Sequence, residues 1–226
     1  MIKTDCEQLF KKVFPFWDKI TEEQREMLCS NTVHTNYKKG SIIHGGDSEC
    51  TGGILVQKGA ARAYIMSEDG REVTLYRLFP GDICMLSASC VLESITFDVF
   101  VEADEDTDCF IINGKVFAQI SANNVYAENF ALNIAVTRFS DVMWVMQQIL
   151  FMSFDKRLAI FLYDEINKTG GETVYLTHEQ IAKYTGSARE VVSRMLKYFA
   201  KEGIVEPLRG GIKIIDKSKL RALAVD

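Results

Sequence analysis

The sequence predicts an α+β chain in three parts: an N-terminal antiparallel β-roll, jelly-roll-like, over residues 1–124, a single long helix over 125–151, and a C-terminal winged helix-turn-helix over 152–226. Three observations predict it. Residues 41–112 read as short apolar runs broken by glycines, the pattern of a small antiparallel roll or barrel. From Val125 to Leu150 a seam of residues recurs at alternating spacings of four and three. From Leu176 to Ile215 two helix-start signals precede two apolar runs separated by turn residues.

The 226 residues suffice for two small domains, and 47 % hydrophobic with 25 % charged residues is an ordinary globular balance. No apolar run approaches the roughly 18 residues of a membrane span. The start, with early acids and no long apolar core, is not a secretory signal, so a cytoplasmic protein without a membrane partner is expected. Charge is unevenly placed. Thr177 to Asp226 carries ten Lys and Arg against six Asp and Glu, net +4, whereas residues 1–176 carry sixteen against twenty-five, net −9. A basic end on an acidic body suits phosphate on one face only. The six cysteines include no Cys-x-x-Cys pair and are expected as reduced, mostly buried thiols.

Residues 1 to about 30 are amphipathic and helical, with Leu9, Phe10, Val13 and Phe14 on one face and a Thr21 to Gln24 capping box opening a second helix. Expected strands are 54–57, 61–66, 73–78 and 97–102, and Ser67 to Gly70 is a hairpin turn. The long helix presents Val125, Asn129, Leu132, Val136, Phe139, Met143, Met146 and Leu150 as a seam for a partner helix, with Asn129 its one polar member. A packing face within the chain is the alternative. A helix over 157–168 follows. Thr177 with Gln180 then opens the first helix of the helix-turn-helix, which ends at Gly186, and Ser187 with Glu190 repeats the capping box to open the second. Val192, Met195, Leu196 and Phe199 give that helix one buried face. Residues 204–205 and 212–215, around Pro207 and Gly210-Gly211, form the wing, and a short helix over 217–224 closes the chain.

Arg189, Glu190, Ser193, Arg194 and Lys197 lie off the buried stripe, the first four clustered where such a helix enters a major groove. Arg can bond guanine O6 and N7 together, and Glu can accept from cytosine N4. His178 and Thr177, at the start of the preceding helix, are candidate phosphate contacts. The run Ser187 to Arg194 resembles the recognition-helix motif of the Crp/Fnr family of bacterial transcription regulators, and the resemblance extends over nearly the whole chain. Arg189, Glu190 and Arg194 match the base-contacting positions of its cyclic-AMP branch, and Glu190, Ser193 and Arg194 those of its oxygen-sensing branch. The resemblance implies a homodimer on palindromic double-stranded DNA, with RNA polymerase as partner if it activates. It also makes residues 1–124 a cyclic-nucleotide-binding-like sensor domain, to which Gly59, Gly70 and the Gly81-Asp82 pair contribute matching turns.

The residues oppose a cyclic nucleotide as effector. Where the cyclic-AMP branch has an Arg-Ser pair, this chain has Thr96-Phe97. Residues 82–108 hold eight acids and no base, and the helix positions that meet adenine are Val142 and Met143. An iron–sulfur cluster is disfavoured because the N-terminal region offers only Cys6 and Cys29. Two readings of Cys84 stand. It matches the thiolate haem ligand of carbon-monoxide-sensing members, which gives the alternative of a haem- or redox-responsive regulator using Cys84, although Leu86 stands where their exchangeable His would be and nothing in the sequence places His44 near as a substitute. Otherwise Cys84 and Cys90 are small buried hydrophobes. What remains is a pocket for a small apolar or aromatic effector, with Cys84, Met85, Leu86, Val91, Leu92, Ile95, Phe97 and Met143 as candidate lining. No cofactor or metal is expected. No catalytic constellation marks an enzyme, and three histidines leave few options for one. A ligand-binding protein with little DNA affinity is the alternative from another class.

Overall fold

The computed structural model describes residues 3–45, 51–87 and 98–225. The chain forms two compact units. One comprises Met1–Ile65 and Leu75–Val142, the other Met66–Thr74 and Met143–Asp226. The division thus falls inside the long helix rather than at its ends, and the β-hairpin turn expected at Ser67 to Gly70 belongs to the C-terminal unit.

In the first unit, α1 (Lys3–Val13), a 3-10 turn (Trp17–Lys19) and α2 (Glu22–Ser30) precede the strands. The Thr21–Gln24 capping box forms with both of its bonds. The strands are β1 (Thr32–Tyr37), β2 (Ile42–His44), β3 (Gly53–Lys58), β4 (Ala61–Met66), β5 (Glu72–Leu78), β6 (Ile83–Cys84), β7 (Phe100–Ala103) and β8 (Thr107–Ile112). They form two sheets, ordered β1-β8-β3-β6 and β2-β7-β4-β5. Successive side chains of a strand point to opposite faces, and the first sheet uses both. Leu55, Ile83, Met85, Phe110 and Ile112 pack against α1 and α2, on a cluster that includes Phe10, Phe14 and Trp17. Ile54, Val56, Cys84 and Cys109 pack with Ala61, Ala63, Leu75 and Val101 of the second sheet.

Of the elements not foreseen, two bear most on the first unit. The first is β1, which pairs along its whole length with β8. The second is α3 (Gly114–Asn123), capped by the Asn113 side chain, which accepts from the Val116 N–H, and buried through Phe117 and Ile120. The cysteine expectation also needs correcting. Cys6 and Cys29 are joined in a disulfide, with Cα atoms 5.8 Å apart. Sequence spacing could not show this, because it is the pairing of α1 with α2 that brings them together. Cys84 and Cys109 are free and buried, and Cys50 and Cys90 lie outside the described residues.

The long helix, α4, spans Val125–Phe151, as the periodicity predicts. Ala127 and Ala131, with Phe130 and Ile134 beside them, face the core of the first unit. The seam residues Val125, Leu132, Val136, Phe139, Met143, Met146 and Leu150 lie on other faces and are exposed, as is Asn129.

In the second unit, α5 (Phe154–Thr169), α6 (His178–Thr185), α7 (Arg189–Lys201) and α8 (Lys217–Val225) surround a core built on Leu158, Leu162, Ile181, Val192, Leu196, Phe199 and Leu220. The wing is a three-stranded antiparallel sheet ordered β10-β11-β9, from β10 (Val205–Leu208), β11 (Gly211–Ile214) and β9 (Thr173–Val174).

Candidate nucleic-acid interface and sensor interior

Helix α6 begins with the expected capping box. The Gln180 N–H donates to Thr177 Oγ1 at 3.2 Å, and the Thr177 N–H donates to Gln180 Oε1 at 2.9 Å. Thr177 is exposed and His178 half-buried. The helix ends at Gly186, whose φ of +58° lies in the left-handed region. The turn closes when the Ser187 N–H donates to Ala182 O at 2.9 Å. The second capping box does not form. Ala188 is the N-cap of α7, with no side-chain bond, because the three-residue turn uses Ser187 and starts the helix one residue later than its sequence signal. Glu190 is therefore not engaged at the cap.

Val192, Leu196 and Phe199 bury one face of α7. Arg189, Glu190, Arg194 and Lys197 are exposed and Ser193 half-buried, and these five line one open groove. Among the described residues, none of the four charged side chains has an ion pair or side-chain hydrogen bond within the protein. A helix face carrying three unpaired cations, one carboxylate and a small hydroxyl can meet base edges and phosphate oxygens together.

The turn between α6 and α7 is held by residues the sequence reading missed. Arg71 Nη2 donates to Gly186 O at 2.6 Å, Arg157 Nη1 to Thr185 O at 2.9 Å and Thr74 Oγ1 to Lys183 O at 3.1 Å. Lys183 pairs with Glu72 at 3.0 Å. The last carbonyls of a helix have no partner within it, so side chains from the hairpin 66–74 and from α5 supply them. No local signal marks such contacts, since Arg71 and Gly186 are 115 residues apart.

The proposed effector-pocket residues are not all brought together. Cys84 faces the interior between the two sheets, whereas Met85, its strand neighbour, faces the helical layer. Leu86 packs at the edge of the inter-sheet core, and Met143 is exposed on α4. Val91, Leu92, Ile95 and Phe97 lie outside the described residues. The Cys84 Sγ sits 3.4 Å from the buried Tyr76 hydroxyl, whose pKa is raised well above its ordinary value by burial first and by that thiol second. His44, on β2, bonds through Nδ1 to Thr51 Oγ1 at 2.7 Å, and burial lowers its pKa.

The acids of residues 82–108 are also less isolated than the sequence suggests. Arg62, 2 % exposed, pairs with Glu102 at 2.7 Å and Asp104 at 3.7 Å, and Arg77 reaches Asp104 at 3.2 Å. From α4, the Arg138 guanidinium lies 4.5 Å from the Tyr76 ring centre and pairs with Asp141 at 2.9 Å. Three cations absent from that stretch of sequence thus reach the roll from neighbouring strands and from a helix.

This arrangement, a two-sheet roll, a long helix and a winged helix-turn-helix, recurs in known proteins. Residues 34–124 match the model of the cyclic nucleotide-binding domain, and residues 156–223 that of the Crp-like helix-turn-helix domain. A crystal structure of a Crp/Fnr-family protein from Eubacterium rectale shares 44 % identity and a TM-score of 0.90, over 95 % of this chain and 100 % of that one. The chain belongs to the Crp/Fnr family. It is a transcription regulator with a helix-turn-helix DNA-binding domain. Among curated Crp/Fnr proteins it is similar to the cyclic AMP receptor protein of Thermus thermophilus, 24 % identical over 93 % of this chain and 96 % of that protein. The c-di-GMP-responsive regulator CLP of Xanthomonas campestris shares the fold, with a TM-score of 0.71 at 16 % identity over 87 % of this chain and all of that one.

Proposed function

We propose that this Crp/Fnr protein is a cytoplasmic homodimer that binds a palindromic operator, each protomer placing α7 in a major groove. The unpaired charged groove of Arg189, Glu190, Ser193, Arg194 and Lys197 carries this reading. Thr177 and His178, at the N-terminus of α6, stand as phosphate contacts. The exposed seam of α4 supports the dimer, for Val136, Phe139 and Leu150 are each more than 60 % exposed on one helix. An apolar stripe of that length is the surface a second copy would cover. Two-fold symmetry then sets half-sites about one helical turn, roughly 34 Å, apart.

The effector is a small molecule other than a cyclic nucleotide. The Arg-Ser pair of the cyclic-AMP branch is absent, and Arg62, Arg77 and Arg138 are each held by a carboxylate. The named ligands of the relatives therefore do not transfer to this chain by fold alone. Selection from a randomised DNA pool, sequenced after binding, tests the regulator reading. A two-fold-symmetric motif is expected, and recovery of no motif with or without candidate effectors would sink it. Calorimetric titration with cyclic AMP is expected to show no binding.

A further inference from the structure

The bond between Cys6 and Cys29 closes residues 7–28 of the first unit into a loop. That loop holds the start of α4. Phe14 and Phe16 each lie 5.3 Å from the Phe130 ring of α4, centre to centre. Asn124, the residue before α4, donates through Nδ2 to the Lys19 carbonyl at 2.8 Å. Its Oδ1 accepts from the Tyr126 and Ala127 N–H groups at 3.0 and 3.2 Å. One side chain therefore satisfies two amides that have no partner within the helix and ties them to the loop. The loop is braced across its own middle, where Arg25 Nε donates to the Trp17 carbonyl at 3.1 Å. Val125, the first residue of the open seam, directly follows Asn124.

The two cysteines differ in access. Cys6 is 0 % exposed, whereas Cys29 is half-buried. A small thiol or disulfide in solution can therefore meet Cys29, while Cys6 completes the exchange from inside. In the cytoplasm thiols are kept reduced, and the disulfides that do form there are mostly transient, catalytic or redox-sensing.

We propose that Cys6–Cys29 is a reversible redox site whose state sets how firmly the start of α4 is held, which rests on the cytoplasmic reading above. Its oxidants are low-molecular-weight disulfides and its reductants the matching thiols. On oxidation the Cys29 thiolate attacks a small disulfide, giving a mixed disulfide and one free thiol. The Cys6 thiolate then attacks Cys29 Sγ, and the second small thiol leaves. Both cysteines give up a proton, and two electrons pass from the pair to the small disulfide, which becomes two thiols. Two small thiols reverse both steps. In the reduced state α1 and α2 keep their apolar contacts through Phe10, Phe14 and Leu28, so the fold survives. What is lost is the covalent limit on residues 7–28, so Phe14, Phe16 and Lys19 part more easily from Phe130 and Asn124.

The test equilibrates the full-length protein, without oxygen, over a series of ratios of reduced to oxidised glutathione. Free thiols are then alkylated and counted at each cysteine by mass spectrometry. Cys6 and Cys29 are expected to gain the label together, with a midpoint at glutathione ratios typical of cytosol. A bond that stays closed at the most reducing ratio would make the pair a fixed staple and overturn the redox site. Thiols that stay free at the most oxidising ratio would overturn it equally. Hydrogen exchange of the Tyr126 and Ala127 amides is expected to be at least about fivefold faster in the reduced protein. Cys29→Ser, at the half-buried position, is expected to show the fast rate at every ratio. Equal rates in both redox states of the unsubstituted chain would overturn the hold on α4. Both readouts use purified protein without DNA, so they stand apart from its location in the cell and from operator binding.

Discussion

Gly186 holds a φ of +58° where α6 turns into α7. A side chain there costs roughly 1–2 kcal/mol in backbone conformation alone. An added Cβ would also stand 3.3 Å from Ile149 Cδ1 and 3.5 Å from Val73. Gly186→Ala is therefore expected to lower the melting temperature of its unit by roughly 4–8 °C per kcal/mol lost, and an unchanged melt would show that the turn adapts. Arg194 has a different role. It is exposed, unpaired and central in the groove, so Arg194→Ala should leave stability alone and cost about 1–3 kcal/mol of operator binding, with discrimination lost at one base pair. Uniform weakening across all sequences would instead make it a phosphate contact. Both residues were legible in the sequence, Gly186 as a stop signal and Arg194 by its place off a regular apolar stripe. Arg71, Arg138 and Arg157 were not, because what each does is decided by a partner far along the chain.

Periodicity served best where an element is long. The seam of α4 and the strands β4 and β5 follow from spacing that a helix or a half-buried strand imposes on its faces. The same helix shows the limit of that reasoning. Its inner stripe, Ala127, Phe130, Ala131 and Ile134, is as regular as its outer one, and only packing shows which stripe the first unit uses. The outer one is left open, so Val136→Glu is expected to shift the protein to monomers in sedimentation while leaving helicity unchanged. A persistent dimer would place the interface elsewhere. Short elements such as β1 and α3 escaped notice because a few residues carry little periodic signal. The α1–α2 pairing adds a prediction of its own. Cys6 and Cys29 close a loop across 23 positions, a constraint worth roughly 3 kcal/mol through the unfolded chain. Reductant, or Cys6→Ser, should lower the melting temperature of the first unit, and reductant should have no further effect on the variant. A melt indifferent to reductant would mean the two thiols are unbridged in solution.

At the scale of the molecule, the charge of −5 conceals a division that DNA binding requires. An evenly spread −5 would repel phosphate from every side. A C-terminal stretch at +4 beside an acidic remainder gives the molecule one attractive end instead. Cations on that end act by displacing condensed counterions, so the logarithm of the binding constant should fall linearly with the logarithm of salt concentration, by about 0.9 per phosphate neutralised on duplex DNA. Lys197 separates this general attraction from sequence reading. It lies nearer the C-terminal end of α7 than the four residues clustered at its start, where backbone rather than base edges is within reach. Lys197→Ala should therefore weaken specific and nonspecific sites alike and reduce the salt slope by about 1, leaving the preferred sequence unchanged. An altered motif with an unchanged slope would make Lys197 a base-reading residue and extend the specificity surface a full turn along α7.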